Sequence, residues 1–239
     1  MRLLSALLLL ACSFFSCSAS PSAADTSTLP PLLAQQIPAG AKRIAYALQQ
    51  RGTAMRQLLA QHKESENSGF HLLLLAGKQE KILQLYTAPR SSPQAFRLLA
   101  EYPVCAASGD LGTKRMEGDR QVPEGIYRLN HLNPESRFFL SLGINYPNEV
   151  DVQRAKKERQ RAPLGGEIYI HGDCLSIGCL AMGDQAIMDI YLLALWAQRI
   201  QPVQVVILPT LALDKTEIFA PLLAQYPQEK ENWTRLQTW

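Results

Sequence analysis

Between Tyr169 and Met182 the chain reads Tyr-Ile-His-Gly-Asp-Cys-Leu-Ser-Ile-Gly-Cys-Leu-Ala-Met, which puts one imidazole, one hydroxyl and two thiols within nine residues. A thiol becomes a useful nucleophile when a nearby imidazole can remove its proton and backbone N–H groups can stabilise the oxyanion on the attacked carbonyl. His171 is the only histidine in the segment and so the candidate base, whereas His62, His71 and His131 lie elsewhere and read as structural or surface residues. Gly178 has no Cβ, so the chain can bend sharply there and turn the amide of Cys179 toward a substrate. Three readings compete on residue types alone: a Cys179–His171 dyad, a zinc site of His171, Cys174 and Cys179, or a short Cys174–Cys179 disulfide. Zinc favours closer cysteine pairs and usually a fourth ligand, which this segment does not offer. A disulfide would silence the thiol unless it served as a redox switch.

The segment lies between the end of a strand expected over 167–171 and a helix expected over 185–198 that Asp184 can cap. That helix is apolar nearly all round (Ile187, Ile190, Tyr191, Leu192, Leu193, Leu195, Trp196), as a helix buried against a sheet would be. The runs Phe70–Leu75 and Ile82–Tyr86, joined by Ala-Gly-Lys-Gln, predict a β-hairpin. Further strands are expected over 97–105, 125–130, 138–144 and 203–208, most of them bounded by Gly, Pro, Asn or Asp. Ile44, Leu48, Met55 and Leu59 recur at helical spacing and predict an arm that packs on the catalytic part, although Gly52 weakens the helix by roughly 1 kcal/mol. The tail over 214–226 reads as a last helix. Together these elements describe a mainly β domain with packed helices, an α+β fold.

The 239 residues suit one large domain with a helical arm. Arg2 followed by the apolar run Leu3–Ala11 is too short to span a bilayer but long enough for a signal-peptide core, so export is expected. Ser22 and Ala24 allow cleavage before Asp25, while Cys12 and Cys17 offer alternative lipid-attachment points. No later run is long enough for a transmembrane helix. The expected organisation is a signal peptide over 1–24, a tether and helical arm over 25–67, a catalytic domain over 68–212 and a C-terminal extension over 213–239. A formal charge of +3, which falls to +2 when Arg2 leaves with the leader, gives no case for nucleic acid. The basic run over 154–161 reads as a solvated loop or short helix, or else as a patch facing an anionic polymer. Loss of the leader leaves Cys105, Cys174 and Cys179, and an odd count in an oxidising compartment leaves at least one free thiol. Cys105, at the end of an apolar strand, reads as a buried small hydrophobe. Cys174 is expected to lie near Cys179 and to pair with it under oxidation. Asp119, Glu124 and Asp173 are candidate acid–base groups, with turn chemistry as the commoner use of such residues beside Gly and Pro.

Two separated blocks stand out: Gly118-Asp119-Arg120-Gln121-Val122-Pro123-Glu124-Gly125-Ile126-Tyr127, and His171-Gly172 followed by Ser176-Ile177-Gly178-Cys179. Together they resemble the L,D-transpeptidase catalytic domain (YkuD-type) family, and within it the YafK-like branch. The intervening stretch from Leu140 to Asn148 also suits the branch, and the resemblance covers about residues 68–210. It implies a β-sandwich catalytic domain in which Cys179 is the nucleophile and His171 its general base, with Ser176 and Gly178 shaping the turn and oxyanion site. Tyr169, Gly172 and Tyr146 become candidate substrate-binding residues, with aromatic packing the other use of the two tyrosines. The implied substrate is peptidoglycan, attacked at the third (diaminopimelate) stem residue to form a thioester that an amine or water resolves, in the periplasm and with no metal or organic cofactor. Ile177 and Ala181 stand where most members carry polar residues. That departure suits the branch in which groups attached to the third stem residue, such as a wall-linked lipoprotein, are released by hydrolysis. It also leaves room for a non-catalytic peptidoglycan-binding module of the same fold.

Overall fold

The computed structural model describes residues 38–238. The expected signal peptide, Cys12, Cys17 and the tether up to residue 37 lie outside the described residues. Within them the chain forms α1 (Ala39–Gln61), β1 (Phe70–Gly77), β2 (Ile82–Pro89), β3 (Arg97–Pro103), β4 (Ala106–Ala107), β5 (Gly125–Asn133) and β6 (Ser141–Ile144). It continues through α2 (Glu149–Lys157), β7 (Tyr169–His171), β8 (Leu180–Ala181), α3 (Gly183–Ala197), β9 (Gln204–Leu208), α4 (Thr216–Gln225) and α5 (Lys230–Gln237). The nine strands make one mixed, curled sheet in the order β3-β2-β1-β9-β5-β6-β7-β8-β4, an α+β architecture as the sequence implies.

The hairpin forms where the turn chemistry put it, with Gly77 opposite Ile82 and the ladder running to Phe70 opposite Pro89. β9 returns beside β1 in parallel, Leu74 against Val205 and Leu75 against Val206. The unbroken apolar runs of β1 and β9 follow from burial on both faces. Leu72, Leu74, Val205 and Ile207 enter one core together with α1 and α3. Leu73, Val206 and Leu208 enter a second core with Phe219, Trp233 and Leu236 of α4 and α5. The C-terminal helices therefore cover the back of the sheet. Trp233 Nε1 donates to Glu124 Oε2 at 2.5 Å, and Glu124 Oε1 accepts from Lys78 Nζ at 3.0 Å, all inside the protein. Glu124 is thus a buried tie between the sheet and the last helix.

Helix α1 docks by its apolar stripe, burying Ala47, Met55 and Leu59. Arg51 grips Asp189 of α3 in a two-pronged pair at 2.6 and 2.8 Å, and the Tyr102 hydroxyl donates to the same carboxylate at 3.1 Å. Asp189 is buried while Arg51 keeps partial access to water, and the buried carboxylate is held because its hydrogen bonds are met this fully.

Several boundaries differ from expectation for local reasons. The strand expected over 97–105 stops at Pro103, because proline has no N–H to continue the ladder, and resumes as the short β4. The strand expected over 138–144 begins only at Ser141, since Phe139 takes a φ of +69° and Phe138 leaves the sheet to meet His171. Asp184 does not cap α3; its Oδ1 accepts from the Asp173 amide at 2.8 Å instead. The basic run belongs partly to α2, which is capped by Asn148 with a reciprocal Asp151 bond. Helix α5 was not among the expected elements; only Asn232, Trp233 and Leu236 of it are buried.

Candidate active site

β7 lies between β6 and β8, with Ser141 opposite His171 on one side and Ala181 opposite His171 on the other. The β7–β8 pair is parallel, with Ile170 opposite Leu180 and His171 opposite Ala181, so Cys179 leads directly into the strand beside the one that ends in His171. The parallel pairing therefore sets the imidazole-bearing and thiol-bearing segments on neighbouring strands, although the loop 172–178 separates them in sequence.

His171 is only 2 % exposed. Its Nδ1 lies 2.6 Å from the Gly172 carbonyl, an acceptor, so Nδ1 carries the proton and Nε2 keeps its lone pair. Phe138 stacks on the ring at 4.5 Å between centroids, 26° from parallel, and holds its plane. Gly172 is required by space: a Cβ there would stand 2.6 Å from the Phe138 carbonyl and 2.7 Å from Asp184 Oδ1. Burial pushes the His171 imidazole below its ordinary value, and the Gly172 carbonyl and Asp173 push the other way.

Ser176 organises the turn into Cys179. Its Oγ donates to the Cys179 carbonyl at 2.6 Å and accepts from the Cys179 amide at 3.0 Å and the Gly178 amide at 3.4 Å. The Cys179 amide is thus engaged by Ser176 rather than turned toward a substrate, which corrects the role expected from Gly178. Gly178 itself sits at φ +127°, a backbone region that side-chain-bearing residues rarely enter.

Cys179 is free and half-buried, its Sγ 3.7 Å from the Glu167 carbonyl. Burial pushes the thiol up; a backbone hydrogen bond from Tyr169 and the charge of Lys114 pull it down, and Glu167 pushes it up again. With the thiol raised and the imidazole lowered, both are neutral at rest near neutral pH. Such a pair can transfer the thiol proton to Nε2 as the sulfur attacks, which is general-base chemistry rather than a stored ion pair.

Cys174 does not pair with Cys179. It is bonded to Cys105, 69 residues earlier, with the two Cα atoms 5.4 Å apart. Both halves are exposed, so Cys105 is not a buried hydrophobe either. The Cys105 amide donates to the Ala181 carbonyl at 2.8 Å, and that strand contact aligns it with the loop. The bond also removes Cys174 from the zinc reading.

Of the remaining candidates, Tyr169 stands at the rim, its hydroxyl donating to Glu167 Oε2 at 3.1 Å and its ring edge-on to His131 at 5.5 Å. Tyr146 is instead buried against Tyr127, with its hydroxyl directed at the Lys114 and Leu164 carbonyls. Ile177 is 80 % and Leu175 67 % exposed, so the loop presents an apolar lip. Ala181 is fully buried in β8 and is not placed to touch a substrate. Asp119 accepts the Arg115, Met116 and Gln121 amides and closes a turn, and Asp173, at φ +59°, accepts from Gly183 N through its carbonyl at 2.9 Å. Phe138, Glu167 and Lys114 were not singled out by sequence. Phe138 and Glu167 were absorbed into expected strands, and Lys114 belongs to a loop without periodicity.

A search of protein families matches residues 81–207 to YkuD, the L,D-transpeptidase catalytic domain. The chain belongs to that family. The matched stretch contains both His171 and Cys179. Among curated proteins, "Putative L,D-transpeptidase YafK" of Escherichia coli K12 is 39 % identical over 116 residues, covering 48 % of this chain and 43 % of the relative. The chain thus aligns with less than half of that relative's length. Among solved structures, the helical cell shape determining protein Pgp2 of Campylobacter jejuni is 26 % identical with a TM-score of 0.45, covering 59 % of this chain and 49 % of that one. Bdellovibrio bacteriovorus Bd1075 is 21 % identical at a TM-score of 0.41, covering 62 % and 50 %. The YkuD match alone carries the assignment to the family.

Proposed function

We propose that the protein is an exported cysteine enzyme that acts on peptidoglycan stem peptides at the third, diaminopimelate residue through a thioester on Cys179. The observation that supports this reading is the 2.6 Å contact of His171 Nδ1 with the Gly172 carbonyl: an N–H donated there leaves Nε2 as the free base, on the strand beside the one that Cys179 leads into. His171 Nε2 takes the Cys179 proton as sulfur attacks the carbonyl carbon. The tetrahedral adduct collapses, the C–N bond breaks, and the imidazolium returns the proton to the departing amine, leaving an acyl thioester. Water or an amine then attacks the thioester through the same base, giving hydrolysis or an L,D-cross-link respectively. Ser176 holds the turn, and Tyr169 stands beside the thiol. The first 24 residues act as the export signal, and the product forms in the periplasm.

Purified protein is incubated with disaccharide-tetrapeptide and with muropeptides carrying a linked lipoprotein fragment, beside Cys179→Ala. Mass spectrometry separates addition of water from addition of a stem. Equal product from both proteins removes Cys179 from the mechanism.

A second reading, a peptidoglycan-binding module without turnover, draws on the engagement of the Cys179 amide by Ser176. It expects peptidoglycan pull-down with no acyl-enzyme. A carbapenem adduct mapped to Cys179 counts against it.

A further inference from the structure

Lys114 is a buried cation on the loop between β4 and β5, outside both hydrophobic cores. It is 5 % exposed, and its ammonium donates to Asp119 Oδ1 at 2.5 Å and to the Met116 carbonyl at 2.8 Å. Its own carbonyl is fixed from the other side by Arg154 Nη2 at 3.0 Å and the Tyr146 hydroxyl at 3.4 Å. Asp119 in turn accepts from the Gln121 amide at 3.0 Å. The Arg120–Gln121 backbone lies directly behind the catalytic turn: a Cβ on Gly178 would meet the Gln121 carbonyl at 3.6 Å and the Arg120 carbonyl carbon at 3.9 Å. The loop is further braced by Ser108 Oγ donating to the Arg120 carbonyl at 2.7 Å. A lysine is strongly hydrated and gives up conformational freedom when buried, so a pinned ammonium on such a loop needs a reason beyond filling space.

We infer that Lys114 is a positioning residue for the reaction, a fixed positive charge held by Asp119 behind the catalytic turn that favours the negative charge developing on Cys179 sulfur. The inference rests on the proposed role of Cys179. It is read on the thiol itself, so it can fail while turnover through Cys179 stands. The charge of Lys114 is among the influences drawing the Cys179 thiol down, in line with this role. The other ionisable groups around the thiol are Glu167, Tyr169 and His171 from β7 and the segment before it, Asp173 of its own loop, and exposed Arg120 beside Gly178. Around Lys114 stand Asp119, Arg154 with its partner Asp151, and Tyr146. Glu167 is the one of these that opposes Lys114 at the sulfur.

The test is the pH dependence of iodoacetamide alkylation at Cys179, followed by mass spectrometry without reductant so that the Cys105–Cys174 bond stays closed. Wild type is compared with Lys114→Met, Lys114→Arg, Glu167→Gln and Asp119→Asn. Lys114→Met should move the alkylation midpoint to higher pH and slow labelling at neutral pH by about threefold or more. Lys114→Arg, which keeps the charge, should restore most of the rate, and Glu167→Gln should move the midpoint down. If Lys114→Met does not fold, Asp119→Asn answers the same question: with the counter-charge gone and the cation kept, the midpoint should fall. A folded Lys114→Met with an unchanged midpoint overturns the inference. So does a folded Asp119→Asn whose midpoint stays or rises.

Discussion

Breaking the Cys105–Cys174 bond tests how the catalytic loop is held, and its cost can be worked from the chain. The bond closes a loop whose ends are 69 residues apart in sequence. In the chain-entropy account, opening a loop of that length restores to the unfolded ensemble about 15 cal/mol/K, or about 4 kcal/mol at 25 °C. Measured losses for such bonds run from about 2 to 4 kcal/mol, so the double variant Cys105→Ser/Cys174→Ser should lose that much. For a domain of this size the loss corresponds to a fall in Tm of roughly 5–15 °C. Urea unfolding followed by circular dichroism is the assay, on mature protein at one pH. The variant's m-value should rise, because an unfolded chain without the cross-link exposes more surface. Either single Cys→Ser change should cost about as much as the double, since one change already breaks the bond. Wild type treated with reductant should fall to the same midpoint, whereas Cys179→Ala should stay near wild type. A double variant within about 0.5 kcal/mol of wild type would refute the reasoning. So would alkylation of Cys105 and Cys174 in unreduced protein.

Three further outcomes are expected. Gly178→Ala should cost about 1–3 kcal/mol from backbone strain alone, since the nearest atom to the new Cβ is 3.6 Å away, and it should reduce turnover more than stability; unchanged activity counts against the turn's role. Trp233→Ala should cost about 3–5 kcal/mol by opening the back core and stranding Glu124, read as a lower urea midpoint and increased binding of an apolar dye. The folded-state pKa of His171 lies below 6.5, so between those two values the unfolded chain binds the extra proton and stability rises with pH. Acidification through pH 6.5 should therefore lower Tm, and His171→Gln should lose that part of the slope; identical slopes in the two proteins would show that another group is responsible.

The chemistry-bearing segment was legible because its residue types are rare and close together: one histidine, one serine and two cysteines beside a glycine. The same was true of the hairpin from Phe70 to Pro89, where a polar turn separates two apolar runs, and of α3, whose all-round apolarity demands burial. These are local properties, and physical chemistry acting over a few residues suffices to produce them. Pairing over distance was not legible. Cys174 could as well have met Cys179 by spacing; it meets Cys105 because β4 and β8 run side by side, Ala106 against Ala181, after seventy-odd residues of intervening chain. Phe138 read as one more strand residue, and only the folded sheet shows it stacked on the base. Tyr146 and Tyr169 are the same residue type in similar sequence surroundings, yet one is buried under the Lys114 loop and the other borders the thiol. Gly178 announced a sharp turn, and its φ of +127° bears that out. Which way the Cys179 amide then points depends on where Ser176 Oγ lies once the loop is closed. The sequence alone thus determined which side chains could act. The sheet's order, with β7 and β8 parallel and β4 folded back beside them, decided which of them meet. Contact across a sheet depends on strand neighbours, and no short stretch of sequence carries that information.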